Sequence, residues 1–238
     1  MSLSPTVIYL LHSADISPQS TAAQKAHTWL SYTERERMSR FKIPRAQHTY
    51  LLGRALLRGL LSQHCNTPPE RLQFALADGG KPYLQGDTSG IHFNLSHSGP
   101  WLALAVSTHS PVGVDIEHPQ KPRDFISIAR HYFHRKEYHA LKTLHGQALQ
   151  DAFYNLWTLK EAFFKARGTG ISEGLARIRF DGNNASITAI IDPELLTENS
   201  HWQFHYWRPA QDPSTQYHLA CANTQTQAPI VKRILNVF

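Results

Sequence analysis

Short apolar runs alternate with longer amphipathic stretches along the first part of the chain. Residues 6–12 are nearly all apolar and predict a buried β-strand, whereas residues 21–30 have a helical pattern. Thr33 and Glu36, three positions apart, predict a capping box at the start of the next helix. Residues 45–63 repeat leucine and alanine with a helical period, so we expect a long amphipathic helix there.

Two arginines of that long helix, Arg54 and Arg58, are predicted to lie opposite its apolar face. Residues 71–77 then predict a strand. The glycine-rich segment after this strand predicts a turn that exposes Lys81. The first half of the chain therefore combines helices with short strands.

A β-hairpin is predicted next, from the alternation in residues 91–99 and 101–106. Its tip is Ser-His-Ser-Gly, whose small residues let backbone N–H groups approach a phosphate, although a histidine at a hairpin tip is more often simply hydrated. Residues 112–117 predict a third strand of the same group. Asp115 and Glu117 share one face of this strand because side chains alternate along it.

The second half begins with a basic stretch, residues 125–146, that contains four histidines. Their spacing supplies no acidic metal ligands and favours a basic, partly aromatic helical surface over a metal site. Residues 148–167 predict a long helix that ends at Gly168. Strands are expected at 175–180, 185–191, 201–208, 217–222 and 229–238, with a hairpin turn at 181–184.

Both halves thus combine helices with antiparallel strands. This pattern predicts the α+β class, with two similar lobes that each pack helices on an antiparallel sheet. We place an N-terminal lobe at residues 1–109 and a C-terminal lobe at residues 110–238.

Composition limits the location and the partners. The 238 residues are 41% hydrophobic, include no apolar run long enough to span a membrane, and begin without the basic region of a signal peptide. We therefore expect a cytoplasmic protein in which Cys65 and Cys221 are reduced thiols. The net charge of +6 favours an anionic partner, either a nucleic acid, a phosphorylated small molecule or an acidic protein.

The candidate chemistry lies in one strand and one helix. Asp115 and Glu117 repel each other and need a cation, either a basic side chain or a metal such as Mg²⁺; an exposed strand face is the simpler alternative. On the long helix, Trp157, Glu161 and Lys165 share a face. That arrangement fits either an ordinary surface ion pair or a carboxylate and an ammonium held in a site.

Four segments, in their order and spacing, resemble the Sfp-type 4′-phosphopantetheinyl transferases. They are Gly80-Lys81-Pro82, Phe93-Asn94-Leu95-Ser96-His97-Ser98-Gly99, Gly113-Val114-Asp115-Ile116-Glu117 and Trp157-Thr158-Leu159-Lys160-Glu161-Ala162-Phe163-Phe164-Lys165. The segments Arg37-x-x-x-Phe41 and Leu51-Leu52-Gly53-Arg54 fit as well, so the resemblance covers residues 31–175. Each motif alone is weak, but the ordered set is highly specific.

The resemblance implies a pseudo-symmetric two-lobed fold with the site between the lobes. It also implies an enzyme that transfers the 4′-phosphopantetheine arm of coenzyme A to a serine of an apo acyl or peptidyl carrier protein and releases 3′,5′-ADP. Such carriers serve fatty acid, polyketide or nonribosomal peptide biosynthesis. We expect a monomer, without nucleic acid or membrane partners.

By the same resemblance, Asp115, Glu117 and Glu161 bind Mg²⁺, or Mn²⁺ in its place, together with the pyrophosphate of coenzyme A. Asp115, Glu161 and Lys165 are the expected catalytic residues, with Glu161 or a metal-bound water as the base for the serine hydroxyl. The residues expected to hold coenzyme A are Arg37, Lys81, Ser96, His97, Asp115, Glu161 and Lys165.

One position departs from the family pattern. Some members carry a basic residue three positions before Arg37, where this chain has Glu34. The neighbouring Arg35 is the candidate to replace it at the 3′-phosphate of coenzyme A.

Two other functions fit part of the pattern. A hydrolase that splits the pyrophosphate of coenzyme A shares every motif and differs only in its acceptor. A non-catalytic nucleotide- or RNA-binding module would use Arg35, Arg37, Arg40 and Arg54. Three carboxylates argue against the second function, since they repel phosphate unless a metal intervenes.

The basic stretch before the long helix offers a docking surface for an acidic carrier. Basic residues around aromatic ones suit an acidic partner helix. The basic residues here are Arg130, Arg135, Lys136 and Lys142, and the aromatic ones are Tyr132, Phe133 and Tyr138. The alternative places Phe133 in the core, with the charges only keeping the surface soluble.

Overall fold

A computed structural model of the chain describes residues 5–86, 90–120, 122–183, 186–197, 201–209 and 216–235. The helices are α1 (Thr21–Trp29), α2 (Tyr32–Ser39), α3 (Pro44–Cys65), α4 (Phe125–Tyr132), α5 (Arg135–Leu141) and α6 (Gly146–Arg167). The strands are β1 (Val7–His12), β2 (Phe74–Leu76), β3 (Pro82–Leu84), β4 (His92–Ser98), β5 (Trp101–Ser107), β6 (Val112–Glu117), β7 (Ile178–Asn183), β8 (Ser186–Ile191), β9 (Gln203–Trp207), β10 (His218–Asn223) and β11 (Ile230–Ile234).

The predicted α+β class is confirmed, and most predicted elements agree with these bounds. The turn predicted at 181–184 is an exception, since it lies partly in β7 and partly outside the described residues. Within the described ranges, no helix has both the length and the apolar character needed to cross a membrane.

The N-cap of helix α2 lies two residues before the predicted N-cap, Thr33, so that prediction was wrong. Its N-cap is Ser31, whose hydroxyl accepts a hydrogen bond from the N–H of Glu34 at 3.2 Å. The Glu34 carboxylate in turn accepts from the N–H of Ser31 at 2.8 Å. The same spacing occurs again at Thr33 and Glu36, and sequence alone does not tell which pair faces α3.

Glu34 also binds two arginines of α3. Its carboxylate lies 2.6 Å from Arg54 Nη2 and 2.8 Å from Arg58 Nη2. Burial favours the neutral carboxyl, but Arg54, the N–H of Ser31 and Arg58 together lower the pKa of Glu34 below its usual value. The prediction that Arg58 lies on the polar face was wrong, because its side chain is only 2% exposed and holds α2 against α3.

Two sheets form the centre of the molecule. The first has the order β11-β1-β5-β4, in which only the β1–β11 pair is parallel. The second is antiparallel, in the order β6-β10-β9. Strand β6 was predicted to extend the β4–β5 hairpin, and this was wrong. It pairs with β10 and lies beside β4 without a backbone ladder between these two described strands.

Similar layers build the two halves. Helices α3 and α6 each have 22 residues and pack on the outer face of one sheet. The inner faces of the two sheets meet in an apolar layer that includes Ile8, Trp101, Val114 and Cys221. The boundary at residues 109 and 110 stays a prediction, and β11 returns from the end of the chain to pair with β1.

Helix α6 lies very close to strand β6 at Gly113. A Cβ at this position would lie 2.0 Å from the carbonyl oxygen of Ala162 and 2.3 Å from the backbone nitrogen of Ala166. Both distances are far inside van der Waals contact, so only glycine fits. The backbones of α6 and β6 are therefore in direct contact at Gly113, and this contact brings the neighbouring side chains of the helix close to those of the strand.

We expect Gly113→Ala to destabilise the fold by at least about 1–3 kcal/mol, the usual cost of overpacking, because backbone atoms rather than side chains must move. Gly53→Ala in α3 is a matched control, since its Cβ would meet only side-chain carbons of Leu102 and Leu95, at 3.0 and 3.5 Å. Urea unfolding of both variants tests this. A Gly113→Ala protein as stable as the wild type would contradict the close packing.

Candidate functional site

Polar side chains of β4 replace a backbone ladder between the two halves. Asn94, Ser96 and Ser98 lie on one face of β4, and each accepts a hydrogen bond from a backbone N–H of the neighbouring segment. The three bonds run to Asn94 from Val114 (2.9 Å), to Ser96 from Ile116 (3.4 Å) and to Ser98 from His118 (3.1 Å). We call this row of three side chains the seam ladder, because it fixes the register of β4 against β6.

Two members of the seam ladder also hold carboxylates. The Ser96 hydroxyl donates to Asp115 Oδ1 at 2.9 Å, and the Ser98 hydroxyl donates to Glu117 Oε2 at 2.9 Å. Lys165 Nζ donates to the same Oδ1 of Asp115 at 2.6 Å and to Ser96 Oγ at 3.0 Å. Helix α6 thus brings an ammonium to a carboxylate that is only 4% exposed.

Negative charge accumulates at this point. Burial and the neighbouring Asp115 raise the pKa of Glu117 above its usual value. Burial, Asp115 and Glu117 raise the pKa of Glu161 to about 7, although Lys165 opposes the shift. Burial favours neutral Lys165, but the attraction of Asp115 outweighs it and raises the lysine pKa. Three carboxylates face one ammonium, so the site favours binding of a further cation.

The donor set fits a hard divalent cation such as Mg²⁺. Asp115 Oδ2 is buried and has no hydrogen-bond partner among the residues that the structure describes, and Glu117 and Glu161 add the oxygen ligands that Mg²⁺ prefers. However, no three histidine, cysteine or acidic side chains of the described segments are already arranged as a metal-binding group. Lys165 holds the other oxygen of Asp115. The metal assignment therefore stays a proposal.

A groove opens on the opposite face of β4. His97 lies on this face because side chains alternate along the strand. It lines a cavity of about 330 Å³ together with Arg45, Thr49 and Tyr50 from α3. Partial burial and the positive charge of Lys165 lower the pKa of His97 below its usual value, which favours the neutral imidazole.

Two family models match consecutive parts of the chain. The model described as the 4′-phosphopantetheinyl transferase superfamily matches residues 111–222. The model described as the N-terminal part of 4′-phosphopantetheinyl transferase matches residues 15–109. The second match includes the seam ladder, and the first includes all three carboxylates and Lys165.

Individual relatives agree with these models. A 4′-phosphopantetheinyl transferase from Bacillus subtilis is 36% identical over 65% of this chain and 69% of its own length. The chain belongs to this family. The transferase Sfp of Bacillus subtilis strain 168 is 35% identical over 61% of the chain and 63% of its own length, which confirms the resemblance seen in the four segments.

Two more distant matches extend the comparison. A phosphopantetheinyl transferase from Thraustochytrium is 30% identical over 77% of this chain and 68% of its own length. A solved holo-(acyl-carrier-protein) synthase from Bacillus anthracis, in complex with CoA, overlaps 48% of this chain and 93% of its own, with 16% identity and a TM-score of 0.36.

In this transferase, Arg37 lies at the rim of the His97 groove. Its guanidinium is 5.9 Å from the ring of Tyr50, which lines the groove. Glu34 is buried in ion pairs with α3, and Arg35 Nη1 donates to the carbonyl of Leu30. Arg35 is thus engaged within its own segment, whereas Arg37 lies beside a ring that lines the groove, and the contact of either arginine with the 3′-phosphate stays a prediction.

Lys81 is not exposed, so the prediction from its turn was wrong. Its Nζ donates to the carbonyls of Val112 and Ala166, at 3.0 and 2.8 Å, and burial lowers the lysine pKa to about 8. The turn packs on the end of α6, where a Cβ at Gly79 would lie 1.8 Å from Gly168 O. A turn sequence predicts local backbone shape but not this tertiary contact. The expected contact of Lys81 with coenzyme A stays a prediction.

The sequence analysis missed the role of Lys160, which is fully buried. Its Nζ lies 2.8 Å from the Glu137 carboxylate and donates to the carbonyls of Leu175 and Ile178. Burial lowers the pKa of Lys160, while Glu137 opposes that shift. Adjacent helix positions lie about 100° apart, so a lysine fixed in the core turns Glu161 toward β6. The sequence did contain a signal of this burial. Phe163 and Phe164, three and four residues after Lys160, lie on the same side of the helix and are buried.

The raised pKa of Glu161 predicts that part of the stability of the metal-free enzyme is lost as pH rises. The folded state binds this proton more tightly, with a pKa of about 7 against 4.5 in the unfolded chain. This contribution is therefore fully present below pH 4.5 and lost as pH rises through about 7.

Glu161→Gln removes the titrating group and serves as the reference. Urea unfolding in chelator should show the wild type losing stability relative to this variant between about pH 5 and about pH 8. The comparison also cancels the titration of the many histidines, which both proteins share. A difference between the two proteins that is independent of pH would contradict the raised pKa.

Proposed function

We propose that this transferase moves the 4′-phosphopantetheine arm of coenzyme A to a serine of an apo acyl or peptidyl carrier protein and releases 3′,5′-ADP. The observation that carries the proposal is the contact of Asp115 with Lys165 at the seam between the halves, beside Glu117 and Glu161. Relatives with the name phosphopantetheinyl transferase support the choice of reaction. We keep the expectation of a cytoplasmic monomer.

Asp115, Glu117 and Glu161 are the residues that would hold Mg²⁺, with Mn²⁺ as a substitute. Asp115 Oδ2 supports this assignment, because a buried oxygen without a partner is costly unless a cation or donor meets it. When bound, the metal supplies positive charge to the pyrophosphate oxygens of coenzyme A.

Glu161 is suited to accept the proton of the carrier serine. The serine oxygen bonds to the phosphorus on the pantetheine side, and the bond from that phosphorus to the bridging oxygen breaks. The bridging oxygen leaves with 3′,5′-ADP, and the serine proton passes to Glu161 or, in the alternative, to a water. In the metal-free protein the pKa of Glu161 is raised to about 7, and a bound cation would keep this carboxylate ionised, as a proton acceptor must be.

The basic groups lie on both faces of β4 and suit the phosphates of coenzyme A. Lys165 stands on the seam side, while His97 and Arg37 stand at the groove. Ser96 supports the set by bonding both Asp115 and Lys165. Direct contacts of Ser96 and these cations with coenzyme A belong to the proposal.

The structure weighs against the RNA-binding alternative. Two of the four arginines considered for it are engaged within the fold, since Arg54 pairs with Glu34 and Arg35 donates to Leu30. The coenzyme A hydrolase alternative uses the same site, and only the acceptor distinguishes it from the transferase.

The first test follows the carrier by mass spectrometry, with coenzyme A, Mg²⁺ and apo carrier present. The wild type should add one phosphopantetheine group, and Asp115→Asn should lower turnover by about 100-fold or more, because metal charge stabilisation is worth several kcal/mol and each ~1.4 kcal/mol is tenfold. Asp181→Asn, at an exposed position of β7, is the matched control and should keep the wild-type rate.

Two outcomes would change the proposal. Release of 3′,5′-ADP without carrier modification would favour the hydrolase. A near-normal rate of Asp115→Asn, or of the wild type in chelator, would reject the metal assignment.

We place the carrier on the basic surface formed by α4 and α5. Arg130, Arg135 and Lys136 are exposed there, whereas the acidic Glu137 is buried with Lys160, so the exposed face is positive. A cavity of about 540 Å³ lies between these helices, lined by Arg130, Phe133, Arg135, Tyr138 and His139. An acidic carrier fits this charge.

Phe133 belongs to the core, as the alternative interpretation of this stretch expected. The aromatic anchor therefore falls to Tyr132, whose side chain is 50% exposed, and to half-buried Tyr138. Arg123, just before α4, lies within electrostatic reach of Glu117 and so connects this surface with the site.

Reversing Arg135 and Lys136 to Glu should raise the KM for carrier, more strongly at low salt because exposed charges are then less screened. The affinity for coenzyme A, measured by calorimetry, should stay unchanged. Lys25→Glu with Lys232→Glu, exposed on α1 and β11, makes the same charge change elsewhere and should leave the KM for carrier nearly unaltered. Equal losses for both substrates, or none for the carrier, would move the docking surface elsewhere.

A further inference from the structure

Ser98 makes two hydrogen bonds, and the reaction described above assigns no function to either of them. Its hydroxyl donates to Glu117 Oε2 at 2.9 Å and accepts from the backbone N–H of His118 at 3.1 Å. The first bond uses the hydroxyl as a donor and the second uses it as an acceptor. The N–H of His118 therefore fixes the Ser98 Oγ while the hydroxyl holds the Glu117 carboxylate.

The same pattern occurs two residues earlier. Ser96 donates to Asp115 Oδ1 and accepts from the N–H of Ile116. Each serine therefore accepts from one backbone N–H and donates to the carboxylate of the residue just before that N–H in the sequence. Asn94, the third member of the seam ladder, accepts from the N–H of Val114 and contacts neither carboxylate.

We propose that Ser98 is a positioning residue that aims the Glu117 carboxylate toward the metal. This inference rests on the proposed metal site. A glutamate on a strand end has three side-chain torsions to fix, and a bond to one carboxylate oxygen restricts them while the other oxygen stays available. Hydrogen bonds of this kind to ligating carboxylates orient them, and their loss typically lowers metal affinity by about 10–100-fold.

The arrangement also connects the site with the joint between the halves. The serine Oγ that orients Glu117 is the same atom that bonds β4 to the segment after β6. The orientation of Glu117 therefore depends on the bond between Ser98 and the N–H of His118, which is one bond of the seam ladder. Since Ser98 reaches the metal only through Glu117, it is not itself a catalytic residue.

A purely structural role for Ser98 would make it equivalent to Asn94, which allows a sharp test. The full-length wild type, Ser98→Ala, Ser98→Thr and Asn94→Ala are titrated with Mn²⁺ alone, and free Mn²⁺ is measured by electron paramagnetic resonance. Ser98→Ala should bind Mn²⁺ about 10–100-fold more weakly, and Ser98→Thr, which keeps the hydroxyl, should bind nearly as the wild type does.

Asn94→Ala is the matched control, because it removes one bond of the seam ladder without touching a carboxylate. It should lower the urea midpoint of unfolding while it keeps the Mn²⁺ affinity. Equal Mn²⁺ affinity in Ser98→Ala and the wild type would overturn the inference, as would equal losses in Ser98→Ala and Asn94→Ala. Failure of the wild type itself to bind Mn²⁺ would instead reject the metal site, and this inference with it.

Discussion

The contact between the backbones of α6 and β6 at Gly113 is the constraint on which the site depends. The carbonyl of Ala162 and the nitrogen of Ala166 occupy the space that a Cβ would need. Lys165 can therefore reach Asp115, although the two are 50 residues apart in the chain. Without this contact the carboxylates and the ammonium would belong to two separate surfaces.

This arrangement is unfavourable in one respect, because it holds charged carboxylates where little water reaches them. The raised pKa values of Glu117 and Glu161 report the cost of burying like charges together. The seam ladder and Lys165 offset part of it, and a divalent cation would offset the rest. A sequence rule that keeps like charges apart is thus broken at this place, as is common for functional sites.

Sequence periodicity correctly predicted which side chains share a face within one strand or one helix. Period two put Asp115 and Glu117 on one face of a strand, and helical spacing put Glu161 and Lys165 on one face of α6. The two lobes followed from the similar pattern of helices and strands in both halves. The reaction came from the ordered motifs, because a set of residues at fixed intervals carries more information than any one of them. The family comparisons agree with that assignment.

Tertiary contacts were beyond the reach of the sequence. Strand β6 pairs with β10, about a hundred residues later, and no local pattern selects that partner. Lys81 is half-buried and Lys160 fully buried because the surfaces that receive them come from distant segments. Ser96, His97 and Ser98 were interpreted as part of the tip of a hairpin but belong to β4. Only the position of β6 shows that Ser98 holds a carboxylate.

The most direct test of this account is a crystal structure of the enzyme with coenzyme A and Mn²⁺, with the metal located by its anomalous scattering. The account predicts one Mn²⁺ bound by Asp115, Glu117 and Glu161, in contact with the pyrophosphate of coenzyme A, with Lys165 beside the same phosphates. Mn²⁺ bound elsewhere, for example by the histidines of α4 and α5, with no metal between the three carboxylates, would contradict it.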